Sequence, residues 1–127
     1  MHKSRLGAIV IDCQGDDFDS HCEFWSRVLG RGLQRSDDPE FAHYAALETA
    51  PEEAKVLLQK VEHPSRVHLD IKADDVEAEV ERLKQRGAAE VARVRDWCVM
   101  EAPSGHRFCV VPQDPPDFAG PVNEWDT

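Results

Sequence analysis

Residues 66–76 read Arg66-Val67-His68-Leu69-Asp70-Ile71-Lys72-Ala73-Asp74-Asp75-Val76, and the run that follows stops at Arg86-Gly87. Apolar residues alternate as in a strand, an acidic turn follows, and Val76, Val80 and Leu83 then recur at the i, i+4, i+7 spacing of an amphipathic helix. Residues 5–30 say the same thing. Ile9-Val10-Ile11 lead to Asp16-Asp17-Phe18, and a helix ends at Leu29-Gly30. The offset is 58 residues at the acidic turn (74 − 16) and 57 at the glycine (87 − 30). Two matched halves direct attention to their seam, and the differences between them limit the chemistry available there.

The remaining elements follow from the same reading. The first strand is expected over 6–13. Its helix starts near Asp19-Ser20, with Phe24, Val28 and Leu29 as the buried stripe and Trp25 beside them. Short strands are expected near 32–35, 41–48 and 54–62, and in the second half near 66–72, 88–94, 96–101 and 106–111. His63-Pro64-Ser65 is the linker. Residues 113–127 are proline-rich and carry Phe118, Val122 and Trp125 as spaced apolar anchors, which predicts an extended tail docked on its own domain or a neighbouring subunit. The order is β-α-β-β-β, twice, an α+β class in which each helix covers one sheet face.

Composition narrows the function. A chain of 127 residues is long enough for one domain with a proper core. A net charge of −10 argues against nucleic acid and against an anionic membrane surface. No apolar run is long enough to span a bilayer, and no signal-peptide pattern follows Lys3 and Arg5. The four cysteines (Cys13, Cys22, Cys98, Cys109) lack metal spacing and read as free thiols of a reducing, cytoplasmic setting.

Three segments together resemble the vicinal oxygen chelate superfamily, which includes glyoxalase I, bleomycin-resistance proteins and extradiol dioxygenases. They are the opening of the second half at 66–76, the hairpin Ala102-Pro103-Ser104-Gly105-His106-Arg107-Phe108-Cys109-Val110, and the helix ending Phe24-Trp25-Ser26-Arg27-Val28-Leu29-Gly30. The glyoxalase-like subgroup is the most similar. The resemblance implies a single domain of two βαβββ modules, about 5–62 and about 66–112, with curved mixed sheets forming an open cup. It also implies a homodimer. In metal-dependent members each module gives two ligands, and the corresponding positions here are Val10, Gln59, His68 and Cys109. Only His68 is a strong ligand of the expected type, so no catalytic metal is predicted, and His68 is the residue that would hold one.

Alternation reads the same strands independently. His68 and Asp70 share one face, and Val67, Leu69 and Ile71 share the face expected to lie under the helix. By the repeat, Val10 and Asp12 match His68 and Asp70. Asp12 and Asp70 then become near-symmetric carboxylates that need partners. Trp97 is a candidate to stack on a planar ligand, and Arg93 and Arg95 to hold an anionic one. Cys109 beside His68 is a candidate thiolate pair, although Phe108 and Val110 at its flanks favour an inert thiol. Glu101 reads as structural. His2, His21, His43, His63 and His106 read as incidental.

The leading expectation is therefore a metal-free small-molecule-binding protein. Its ligand would be lined by Val10, Asp12, Gln59, His68, Asp70, Trp97 and Cys109, with His68 as acid/base if a proton is moved. The alternatives are a metal-dependent lyase, isomerase or dioxygenase using His68, and a pure interaction module in which the tail is the contact.

Overall fold

The first strand starts earlier than its apolar run suggests. β1 extends over His2–Gln14, because polar residues at its start are paired rather than solvated. This is a computed structural model, and it describes residues 1–51, 53–113 and 120–126. The anchor expected at Phe118 lies outside the described residues. The elements after β1 are α1 (Phe18–Leu29), β2 (Leu33–Gln34), a 3-10 turn (Pro39–Phe41), β3 (Tyr44–Leu47), β4 (Val56–Val61) and β5 (Arg66–Ala73). Then come α2 (Val76–Gln85), β6 (Ala89–Val94), β7 (Trp97–Glu101), β8 (Arg107–Pro112) and β9 (Asn123–Trp125). The class is mixed α+β, as the repeat predicts. Phe41, expected in a strand, lies in the 3-10 turn, where Asp38 accepts from the Glu40 N–H and Pro39 starts the turn.

The chain forms two compact units. One is Ala8–His68; the other joins Met1–Gly7 to the chain from Leu69 onward. In the first unit the strand order is β2-β3-β4-β1, with β1 and β4 parallel and the others antiparallel. Asp17 caps α1 by accepting from the Ser20 N–H, and Gly30 ends it at φ 67°, a conformation that glycine adopts without strain. Phe18 and Cys22 are buried, and Trp25 packs against the same cluster with Leu47, Val56 and Leu58. Phe18, Cys22 and Trp25 fall at i, i+4, i+7. The expected stripe is wrong in phase: Phe24 and Val28 are each 57% exposed and Leu29 is 43% exposed. α1 carries apolar residues on more than one side, and the sheet accepts the side that includes Phe18.

In the second unit the order is β5-β8-β7-β6, with β5 and β8 parallel and β9 antiparallel to the start of β1. Ala73, Cys98, Met100 and Val110 are fully buried against Val80 of α2. Leu69, Ile71 and Ala73 share that side of β5 by alternation. Leu69 nevertheless remains 42% exposed, because α2 covers only the later part of the strand. Val67, in the first unit, is also left open, at 55%. The expectation that Val67 and Leu69 lie under a helix is thus corrected.

One cluster in this unit replaces an incidental reading. Glu79 of α2 is fully buried. Its Oε1 accepts from Arg82 Nε at 2.8 Å and lies 2.8 Å from His2 Nε2. Its Oε2 accepts from Ser4 Oγ at 2.8 Å and from Arg82 Nη2 at 2.9 Å. Trp125 Nε1 donates to Ser4 Oγ at 2.8 Å, and the Arg82 guanidinium sits 3.7 Å from the centre of the Trp125 ring. Burial alone pushes the Glu79 carboxyl up, but hydrogen bonds from Arg82, His2 and Ser4 outweigh it and hold the group below its usual range. His2 is therefore a structural partner, and Trp125 is an anchor for β9.

Candidate functional site

In the first unit, β1 and β4 run parallel with Asp12 opposite Gln59, and β3 places Tyr44 opposite Gln59. Ile11 and Cys13 point toward the α1 cluster, so Val10, Asp12 and Gln59 occupy the opposite face. Val10 and Asp12 are 3% and 2% exposed. A buried carboxylate needs compensation, and Asp12 finds it on the segment 63–68. His68 Nδ1 lies 2.8 Å from Asp12 Oδ2. Arg66 Nε lies 3.7 Å from the same oxygen, and His63 Nε2 4.0 Å. Asp12 Oδ1 is buried without a hydrogen-bond partner among the described residues.

The pairing sets the chemistry of the imidazole. An ionised carboxylate only accepts, so a neutral ring in this pairing donates from Nδ1. The Asp12 carboxylate thus fixes the orientation of the His68 ring. The segment carrying it is itself fixed: the Gln14 backbone N–H donates to Ser65 Oγ at 2.9 Å, and Gln14 Nε2 donates to the Glu62 carbonyl at 3.0 Å. His63, read as an incidental linker residue, therefore belongs to the same constellation, and so does Arg66. The signal for it lay in one carboxylate facing three basic side chains within six residues, and only the fold supplies that juxtaposition.

The other predicted residues lie in the second unit. Asp70 is opposite Cys109, and Cys109 is opposite Val99. By alternation Trp97 shares that face, which is the one turned away from α2. A carboxylate oxygen of Asp70 and the Cys109 sulfur lie within 4.8 Å. Glu101 is held by Arg107 Nε at 3.3 Å, a structural pairing. Arg93 is committed to Glu77 and Glu90 on its own surface, which corrects its assignment as an anion holder. The Glu90 carboxyl is held low by its hydrogen bonds from Arg93. Burial raises the Cys13 and Cys98 thiols and pushes Cys22 up to about 11, so these three remain protonated and inert near neutrality.

The four positions implied for a metal do not form a complete donor set. Val10 has no donor atom, Gln59 offers an amide, Cys109 a thiol, and His68 an imidazole whose Nδ1 faces Asp12, as a metal-ligating histidine's second nitrogen commonly does. A glyoxalase-type divalent ion asks for three or four nitrogen or oxygen donors with negative charge among them, and of the four implied positions Val10 supplies none. A surface cleft of about 570 Å³ in the first unit is lined by Gln34, Glu48, Glu53 and Lys55 among others, and by none of the predicted site residues.

A family model described as a glyoxalase-like domain matches residues 8–111. The chain belongs to the glyoxalase-like domain family. This glyoxalase-like protein shares its fold with methylmalonyl-CoA epimerase from Mycobacterium tuberculosis, at 17% identity over 91% of each chain and a TM-score of 0.62. It is also similar to the Mn(II)-bound glyoxalase from Novosphingobium aromaticivorans: 21% identity over 86% of this chain and 40% of that one, TM-score 0.56. A glyoxalase/bleomycin resistance protein/dioxygenase superfamily member from Vibrio splendidus 12B01 matches at 17% identity over 86% and 100%, TM-score 0.52. No curated protein matches the chain. The glyoxalase-like protein thus falls in the superfamily that its motifs resemble. At these identities the solved structures establish the fold, and function has to be argued from the site.

Proposed function

We propose that this protein binds a small molecule against His68 and uses the imidazole to orient it or to move one of its protons. The observation that carries this is the Asp12–His68 pair, in which a buried carboxylate lies 2.8 Å from Nδ1 and orients the ring. No metal is needed for that role. Titration with a broad panel of metabolites, read by melting temperature and tryptophan fluorescence, is expected to give responses that His68→Ala abolishes. A flat response across the panel counts against the proposal.

A second reading draws on the donor pair Asp70 and Cys109. It is metal-dependent lyase, isomerase or dioxygenase chemistry. Metal analysis of protein purified without chelator separates the two. A stoichiometric divalent ion lost in both His68→Ala and Cys109→Ser would favour this second reading.

We also propose that the protein pairs with a second copy through α1. Phe24 and Val28 form an exposed apolar strip, and beside it Glu23 and Arg27 make an i, i+4 ion pair at 2.9 Å. Two such helices laid antiparallel place Glu23 of each copy against Arg27 of the other, a self-complementary arrangement. Sedimentation is expected to show dimeric wild type and monomeric Phe24→Glu. Wild type that sediments as a monomer at all concentrations removes this part of the proposal.

A further inference from the structure

Around Asp12 charge is layered by depth. The carboxylate is innermost, its side chain 1% exposed, whereas the Arg66 and His63 side chains that approach it are 43% and 38% exposed. Arg66 turns its Nε toward Asp12, and the rest of its guanidinium makes no ion pair or hydrogen bond among the described residues. Its Nη1 and Nη2 are thus the edge left for a ligand, a fork whose spacing matches the two oxygens of a carboxylate. Arg66 is thus a cationic edge beside one buried carboxylate, on a chain whose net charge is −10. Gln14 pins the 62–65 segment at two points, so the backbone leading into Arg66 is fixed.

We propose that the ligand is a small monocarboxylate, taken by Arg66 with His63 beside it, and that this anchoring presents the rest of the molecule to His68. The inference rests on the reading of His68 as the ligand-facing base and adds the chemical class. A single guanidinium suits one negative charge on a planar group. A phosphate dianion would call for more cations.

The test is titration of the intact chain with benzoate and pyruvate against benzamide and pyruvamide, read by nitrogen NMR of the Arg66 Nε–H and the His63 and His68 rings. The carboxylates are expected to shift Arg66 and His63, and the amides to leave them unmoved at equal concentration. Arg66→Gln should weaken carboxylate binding at least tenfold, and Arg66→Lys should recover part of it. An unchanged melting temperature shows that each variant is folded. Amides that bind as well as their acids, an Arg66→Gln variant within twofold of wild type, or inorganic phosphate binding more tightly than benzoate would each overturn the assignment. Arg66-dependent carboxylate binding that leaves the His68 ring unmoved upholds the assignment of a monocarboxylate to Arg66 and removes the acid/base reading. A His68 response to acids and amides alike does the reverse.

Discussion

Replacing Glu79 with alanine is expected to cost about 3–5 kcal/mol of folding stability, the range for removing one partner of a buried ion pair. The side chain is fully buried and both of its oxygens have two polar partners, so its loss leaves His2, Ser4 and Arg82 without their common acceptor. The Trp125 contact with Arg82 should loosen with it. The urea midpoint reports the loss, and an unchanged midpoint would refute this account of the cluster. A pH dependence follows. The folded carboxyl titrates below its usual range, whereas the unfolded one titrates near about 4.3. The unfolded state therefore binds the proton first on acidification. The stabilisation is fully present above about pH 4.3 and is lost as pH falls through the lower folded value. Glu79→Gln should remove that part of the acid sensitivity, so its stability profile below about pH 5 should be flatter than that of wild type.

Asp12→Asn carries the largest expected functional effect. Asparagine is nearly isosteric, but its amide can donate as well as accept. If its N–H faces His68, Nδ1 becomes the acceptor and the proton moves to Nε2, which removes the base from the ligand side. Any proton transfer should fall by about 10²–10⁴-fold, the usual contribution of a positioned acid/base group. Nitrogen NMR of His68 gives a readout that simple destabilisation would not move: an Nδ1–H ring in wild type and an Nε2–H ring in the variant. An unchanged tautomer with unchanged ligand response would show that Asp12 does not orient the ring.

The sequence discloses the order of elements because strand alternation, acidic caps and terminal glycines are local signals, and each occurs twice. The repeat matches Val10 and Asp12 to His68 and Asp70, which puts Asp12 and His68 on equivalent strand faces without pairing them. Three things escape the sequence. The phase of α1 is ambiguous because apolar residues lie at 18, 22 and 25 as well as at 24, 28 and 29, and only the sheet decides between them. Glu79 reads as part of the polar face of α2, because its partners are 75 and 77 residues away. His63 and Arg66 read as linker and strand start, because what makes them a group is a carboxylate more than 50 residues earlier.

The unit that contains the Glu79 cluster draws on both ends of the described chain, whereas the Ala8–His68 unit is continuous. On the ribosome these two histories differ. The continuous unit has all its residues once His68 emerges, but Ser4, which Glu79 reaches sooner, waits for Trp125 until 57 residues later (125 − 68). At about 5–20 residues per second that is roughly 3–11 s of synthesis. During that interval the nascent chain presents an early strand whose cap has yet to be made. Chaperone capture and premature cleavage are therefore expected near its first residues rather than in the half that is already closed.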